Sequence, residues 1–542
     1  MDPEAPNVLH SLSQSAAWSR ANEKGVFPGV STVLNWSIWG EIGERGTRRA
    51  AFELGLFSAA ELEPPESVDE WMWSIFYGRP TANVDSWRGL YERGLAASGA
   101  GGEAQRQVFG HTASNVPEDA PPDRRAEVAA RRPAALVKAA ERMRAARADT
   151  ERWWREATRA SALTDPERSR RDFATALEFF ERADPNHILV SLFATEAVTE
   201  LSAAAEQAGR PEAANALMVG YPGMEEFETT AALWELSRGR ASLETFLGRH
   251  GFHGAEEGEI ASHSWREASD SIAKLAERYA ALDETENPAA LETRSIQKRS
   301  ATGAELRAAL PAEARGAFDD TLERTATFLP LREAGRATLT LALDAMRAHA
   351  RVIGHDLEMR GALPAANDVF LLTRQEVLDL PPDALERIEE RRQLRAHYAS
   401  FELPEAWQGM PIKQALPERM AQEIHSESVP ARPVGTRLKG LGASSGVHEG
   451  VARVVLDARA LAEEFEAGDI LVAPATDPSW APFFLVAGAV VIDTGSNISH
   501  AAVVAREMDI PAVVGLKGAS ETLHTGQRLR VNGSAGTVEI VG

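Results

Sequence analysis

The chain has 542 residues, 44% hydrophobic and 25% charged, with 80 acidic against 58 basic side chains and a formal net charge of −22. That length suggests three or four domains with sizeable cores, and the acidic balance argues against nucleic acid or an anionic membrane as the main partner. There is no cysteine, which excludes disulfides, thiolate metal sites and thiol catalysis. The N-terminus, MDPEAPNVLHSLSQS, has neither the basic nor the apolar region of a signal peptide. No run of about 18 apolar residues stands out, so the sequence leads us to expect a cytoplasmic protein without a membrane span.

Residues 1–122 combine many large rings with turn signals. Trp36, Trp39, Trp71, Trp73, Phe76, Tyr77, Trp87 and Tyr91 crowd a short span, with Pro28-Gly29 and Gly78-Arg79-Pro80 as turns. Rings at this density build either an acceptor pocket with a few polar handles or an aromatic core. Gly and Pro clusters at 98–102 and 117–123 then read as exposed loops.

Residues 124–400 are rich in helix formers with apolar positions three and four apart, as in Leu189, Leu192, Phe193 and Ala197. The Arg/Glu-rich part of this region, 125–159, reads as a solvated helix laced with ion pairs. Two interruptions stand out. Residues 251–260 place His253, Glu256, Glu257 and Glu259 among three glycines. Such a loop presents functional side chains or is a solvated acidic turn. At 331–336, Arg332 and Arg336 would share one face of a helix, where two guanidiniums either grip an oxyanion or lie solvated. Thr373 and Glu376 have the spacing of a capping box. Five prolines between 403 and 438 mark a semi-rigid linker, placed at 426–439 between a body of 1–425 and a C-terminal domain of 440–542.

From Gly440 the pattern changes to short β-branched runs, VARVVLD, DILVAPA, GAVVIDT and PAVVG, and a hairpin across 532–536. Helices are expected near 458–466 and 499–508. The second opens on Thr494, Gly495, Ser496, Ser499 and His500. A helix mouth offers unpaired N–H groups to an anion, and an imidazole there can act as a nucleophile. Together they describe a phosphoryl group carried on His500.

Gly442–Val447 with Gly450, the run 468–472, Thr476-Asp477-Pro478, the stretch 499–507 and the stretch 510–515 resemble, in order, the phosphohistidine swivelling domain of the phosphoenolpyruvate-utilising enzymes. Two positions depart: Gly495-Ser496 stands where that domain has paired glycines, and Asn532 where it has aspartate. The body resembles the substrate-binding domain of rifampin phosphotransferases and phenylphosphate synthase-like proteins. That resemblance rests on Asn22-Glu23, the stretch 27–32, Trp36-Ser37, Tyr77-Gly78-Arg79 with Asn83, the loop 251–259, Trp265-Arg266-Glu267, Arg332-Glu333 with Arg336, and 368–373. Here His253 stands where relatives often have arginine, and Arg336 where they often have lysine.

The resemblance implies a multidomain α+β protein: a large, mainly helical substrate-binding domain and a small β/β/α swivelling domain. It implies a phosphotransferase that relays a phosphoryl group through His500 to a hydroxyl of a small apolar or aromatic acceptor, with phosphorylation or a following dehydration as the net result. Arg332 and Arg336 would steady the phosphoryl charge, while His253 or Glu259 would take or position the hydroxyl proton. Trp36, Tyr77, Arg79 and Asn83 would bind the acceptor. Nothing in the chain resembles the ATP-grasp domain that charges the histidine in these enzymes, so a separate ATP-grasp subunit is expected to supply it. ATP and Mg2+ would bind that subunit, and no metal is expected on this chain. Two alternatives are a silent binding or regulatory module, and an ATP-independent enzyme with His500 as general base.

Overall fold

The computed structural model describes residues 2–21, 23–27, 29–95, 123–415, 433–456, 465–495 and 499–542. Asn22, Pro28, Ser496, the loop clusters at 98–102 and 117–122, and nearly all of the helix expected at 458–466 lie outside the described residues. So does the first half of the expected linker, 426–432. Its last three residues form a strand, Arg437–Lys439. The chain divides into two compact units that cut across the expected body.

The first unit comprises Met1–Leu192, Gly258–Ser262 and Ala334–Leu416. Its four-stranded antiparallel sheet runs in the order β2-β3-β1-β4, with β1 at Ala17–Ser19, β2 at Trp73–Phe76, β3 at Arg79–Asn83 and β4 at Ala406–Gln408. The turn expected over Gly78-Arg79-Pro80 lies one residue earlier. Tyr77 and Gly78 both take positive φ, 47° and 72°, and close a two-residue β2–β3 hairpin. Positive φ at both central residues matches the twist of the flanking strands, which leaves Arg79 and Pro80 in β3. Thr32 caps the helix Val33–Leu54 by accepting the Asn35 N–H. The acidic and basic residues of the helix Arg125–Ala157 pair along its surface, as in Arg147–Glu151 and Arg155–Glu151. Thr373 and Glu376 form the expected capping box.

The aromatic patch is the core of this unit. Trp18, Ile75, Phe76, Tyr77, Leu394 and Tyr398 form one buried cluster, with Trp36 packed partly buried against it. Arg79 enters the same core, 2% exposed. Its guanidinium donates to the Tyr77 carbonyl at 3.0 Å, the Tyr398 carbonyl at 2.9 Å and the Phe401 carbonyl, and it lies 3.5 Å from Glu402. A cation this deep survives because those acceptors replace its water.

The second unit comprises Phe193–Glu257, His263–Glu333 and Pro417–Gly542. It contains an eight-stranded sheet ordered β5-β12-β11-β7-β8-β9-β10-β6. The strands are β5 (Arg437–Lys439), β6 (Leu441–Ser444), β7 (Val447–Val454), β8 (Ile470–Ala473), β9 (Ala489–Ile492), β10 (Ala512–Val514), β11 (Arg528–Asn532) and β12 (Thr537–Ile540). Neighbours from β7 to β10 are parallel and the remaining pairs antiparallel. Alternate residues serve two cores. Leu471, Ala473, Val490 and Ile492 join Trp234, Tyr279, Ala502 and Val504 on one face, while Ile470, Val472, Ala489 and Val491 join Leu529 and Val531 on the other. Burial on both faces is why the parallel strands read as unbroken apolar runs.

Residues 331–336 interrupt nothing. They lie inside the helix Arg315–Met359, which continues through Pro330. Proline removes one helical hydrogen bond, and the buried Phe328, Leu329 and Leu331 around it supply apolar burial that offsets the loss. The helix Pro166–Gln207 contains one stretch long and apolar enough, by length and composition only, to cross a membrane, and half of that stretch is buried within the protein. The sequence reading did not single it out, because Glu196 and Glu200 divide the run.

Replacing Arg79 with Met should strand three carbonyls and Glu402, and cost about 3 kcal/mol of stability. Urea denaturation followed by circular dichroism measures this. A loss below about 1 kcal/mol would show that the buried cation contributes little.

Candidate functional site

His500 is the first residue of the helix His500–Glu507, with Ser499 as its N-cap. The loop before it is shaped by Gly495, whose φ is +113°. A Cβ at that position would stand 2.8 Å from the Ser499 hydroxyl oxygen, so a side chain would both strain the backbone and crowd the cap. Thr494 donates its hydroxyl to the Pro474 carbonyl at 3.0 Å, tying this loop to the segment after β8. Three of the four residues expected to form a phosphate loop, Thr494, Gly495 and Ser499, therefore lie in sequence before His500. Ser496, the fourth, lies outside the described residues.

The His500 side chain is 7% exposed. Its Nδ1 lies 3.1 Å from the Thr476 hydroxyl. Its other nitrogen, Nε2, lies 3.8 Å from Oε1 of Glu226, itself buried in the first turn of the helix Glu225–Ser237. His253 contacts Glu225, the residue before Glu226 in the same helix. Its Nδ1 is 2.7 Å from Glu257 and its Nε2 is 3.7 Å from Glu225. Burial alone would lower the His253 pKa, but the carboxylates of Glu257 and Glu225 outweigh it and raise the value to about 9. His253 thus holds its second proton at neutral pH. It can position a hydroxyl or balance negative charge, and has no vacant nitrogen for a proton.

Asp477 adjoins Thr476 and joins the two sides of the site. One of its oxygens accepts the Ser479 N–H at 2.9 Å, and the other accepts the Glu256 N–H at 3.1 Å. Burial, reinforced by the charge of Glu257, pushes Asp477 up to about 7. At the far end of the histidine helix, both oxygens of the Glu507 carboxylate accept the Gly220 N–H at 3.1 Å. Burial raises Glu507 to about 7, and lowers its neighbour Arg506 to about 10. Arg506 and Arg332 line one small cleft with Val198, Met218, Leu329 and Val503. Two guanidiniums in such a cleft can hold an oxyanion.

The other expected site residues are placed differently. Arg332 lies in the second unit, 3.2 Å from Glu333, whereas Arg336 lies in the first. Glu259 also belongs to the first unit. Its carboxylate accepts from the Thr32 N–H at 3.0 Å, the Thr32 hydroxyl at 2.6 Å and the Ser31 hydroxyl at 3.3 Å, and so holds its loop to the start of the helix Val33–Leu54. Tyr77 and Arg79 lie in the aromatic core, Trp36 at its margin, and Asn83 caps the helix Val84–Leu90. Sequence reasoning passed over Glu226, Thr476 and Asp477 as site residues. The available signal for Glu226 was an acidic pair, Glu225-Glu226, directly after the Tyr221-Pro222-Gly223 turn.

The raised pKa of His253 has a signed consequence for stability. A histidine whose folded pKa lies at about 9, above its ordinary 6.5, contributes stability that is complete below pH 6.5 and is lost as pH rises through 9. Replacing His253 with Gln should therefore destabilise the protein more at pH 6 than at pH 9.5. Urea titrations at the two pH values test it, and an equal loss at both would show that the imidazolium is not held by its carboxylates.

Residues 465–536 match the PEP-utilising enzyme mobile domain, and residues 238–333 match the rifampicin phosphotransferase fourth domain. The chain is 32% identical over 315 residues to a rifampicin phosphotransferase of Streptomyces sviceus, covering 56% of this chain and 34% of that protein. It is 36% identical over 208 residues to the uncharacterized phosphotransferase YvkC of Bacillus subtilis, covering 37% of this chain and 24% of that protein. A phosphoenolpyruvate synthase of Aeropyrum pernix is 43% identical over 121 residues, 22% of this chain and 14% of that protein. The matched regions thus span about a third or less of these relatives. His500 lies inside the first matched domain and His253 inside the second, so the chain joins a PEP-utilising enzyme mobile domain to a rifampicin phosphotransferase fourth domain and is distantly homologous to rifampicin phosphotransferase and YvkC.

Proposed function

We propose that the chain is a phosphotransferase component that carries a phosphoryl group on His500 and passes it to a hydroxyl of a small apolar or aromatic acceptor. The observation that supports this best is the arrangement of the imidazole. Thr476 lies at Nδ1, and Nε2 faces the buried carboxylate of Glu226. Catalysis of phosphoryl transfer is mostly positioning and electrostatics, because little covalent chemistry falls to the protein. Ser499 and the helix N-terminus would receive the phosphoryl oxygens. Arg332 and Arg506, which line one cleft with Val503 of the histidine helix, would offset their charge.

In this reading an ATP-grasp component outside these 542 residues charges His500 from ATP and Mg2+, and the acceptor phosphate either is the product or leaves in a later elimination. Incubating the protein with radiolabelled ATP and a candidate ATP-grasp protein should place acid-labile label on His500. His500→Ala should abolish the label without lowering the melting temperature by more than a few degrees. Label that persists in His500→Ala, or a wild type left unlabelled by every ATP-grasp protein from the same gene neighbourhood, would overturn the proposal.

A further inference from the structure

We propose that Glu226 is the catalytic base of the transfer step, taking the hydroxyl proton of the acceptor as its oxygen attacks the phosphoryl group on Nε2 of His500. This rests on the phosphohistidine reading above. Glu226 Oε1 lies 3.8 Å from Nε2, and the two side chains are 6% and 7% exposed. A phosphoryl group on Nε2 therefore sits beside this carboxylate, and so does an oxygen approaching the phosphorus. Glu226 also occupies the first turn of the helix Glu225–Ser237, whose N-cap Met224 offers no side-chain acceptor. The dipole of that helix places positive potential beside the carboxylate.

The neighbouring groups are committed elsewhere. His253 already carries its proton, and Glu257 is its partner at 2.7 Å. Asp477 accepts from Ser479 and from the Glu256 N–H. Both oxygens of Glu507 face the Gly220 N–H. Glu259 lies in the first unit with its carboxylate on Ser31 and Thr32. Glu226 faces the reacting nitrogen at 3.8 Å.

The step balances. A P–O bond forms to the acceptor oxygen as the P–Nε2 bond breaks. The electron pair of the broken bond returns to the imidazole, and the hydroxyl proton passes to Glu226. From there it can move to Nε2 or to solvent, which restores the carboxylate. Placing a carboxylate beside a phosphoryl dianion also raises the energy of the charged histidine, and transfer relieves that repulsion.

Water can stand in for the unidentified acceptor. The full chain is charged with potassium phosphoramidate, and loss of label from His500 is followed by 31P NMR between pH 6 and 9. Glu226→Gln should slow the loss about 10²-fold across this range, since general-base catalysis is worth about 10²- to 10⁴-fold. Glu226→Asp, which keeps a carboxylate, should recover part of the rate. A wild-type rate in Glu226→Gln would overturn the inference while leaving the phosphohistidine intact. Failure of phosphoramidate to label His500 in the wild type would overturn both.

Discussion

The site depends on one buried contact, the Glu507 carboxylate on the Gly220 N–H. A carboxylate taken out of water must find donors or its proton, and Glu507 does something of each, since its pKa rises to about 7. Gly220 can serve because it lacks a side chain. Its φ is +69°, and a Cβ would stand 2.6 Å from the Ile296 nitrogen. Arg299 holds the same turn by donating to the Val219 carbonyl at 3.0 Å and to the Gly220 carbonyl. The C-terminal end of the histidine helix is anchored there, and Thr476 meets the His500 ring at the other end. An eight-residue helix held at both ends leaves its first side chain little freedom, which is what aims Nε2 at Glu226.

Charge around His500 is arranged in compensating layers. Glu225, Glu226, Glu257 and Asp477 would repel one another strongly if all were ionised at such burial. The His253 imidazolium between Glu225 and Glu257, the raised pKa of Asp477 and the N-terminus of the helix Glu225–Ser237 each relieve part of that repulsion. Arg332 and Arg506, on different helices, line one cleft with Val503.

The sequence by itself determined the strands of the C-terminal region and the start of the histidine helix. Short β-branched runs between turns became β7 to β10, the 532–536 turn joined β11 to β12, and His500 opened its helix where Ser499 caps it. These features are local: they follow from side-chain alternation, turn chemistry and caps within a few residues. The capping box at Thr373 was legible for the same reason. Tertiary structure decided everything that depends on contacts distant in sequence. The aromatic patch around Tyr77 resolved into a core because Tyr398 and Phe401 close over it, more than 300 residues later in the chain. Arg332 and Arg336, neighbours in the sequence pattern, went to different units, and Glu259 parted from His253 within one loop. Glu226 and Thr476 both precede His500 in the chain, by 274 and 24 residues. No periodicity records such a pairing, because it depends on apolar burial and on which backbone N–H groups meet the buried Glu507 and Asp477 carboxyls, and both are known only once the chain has folded.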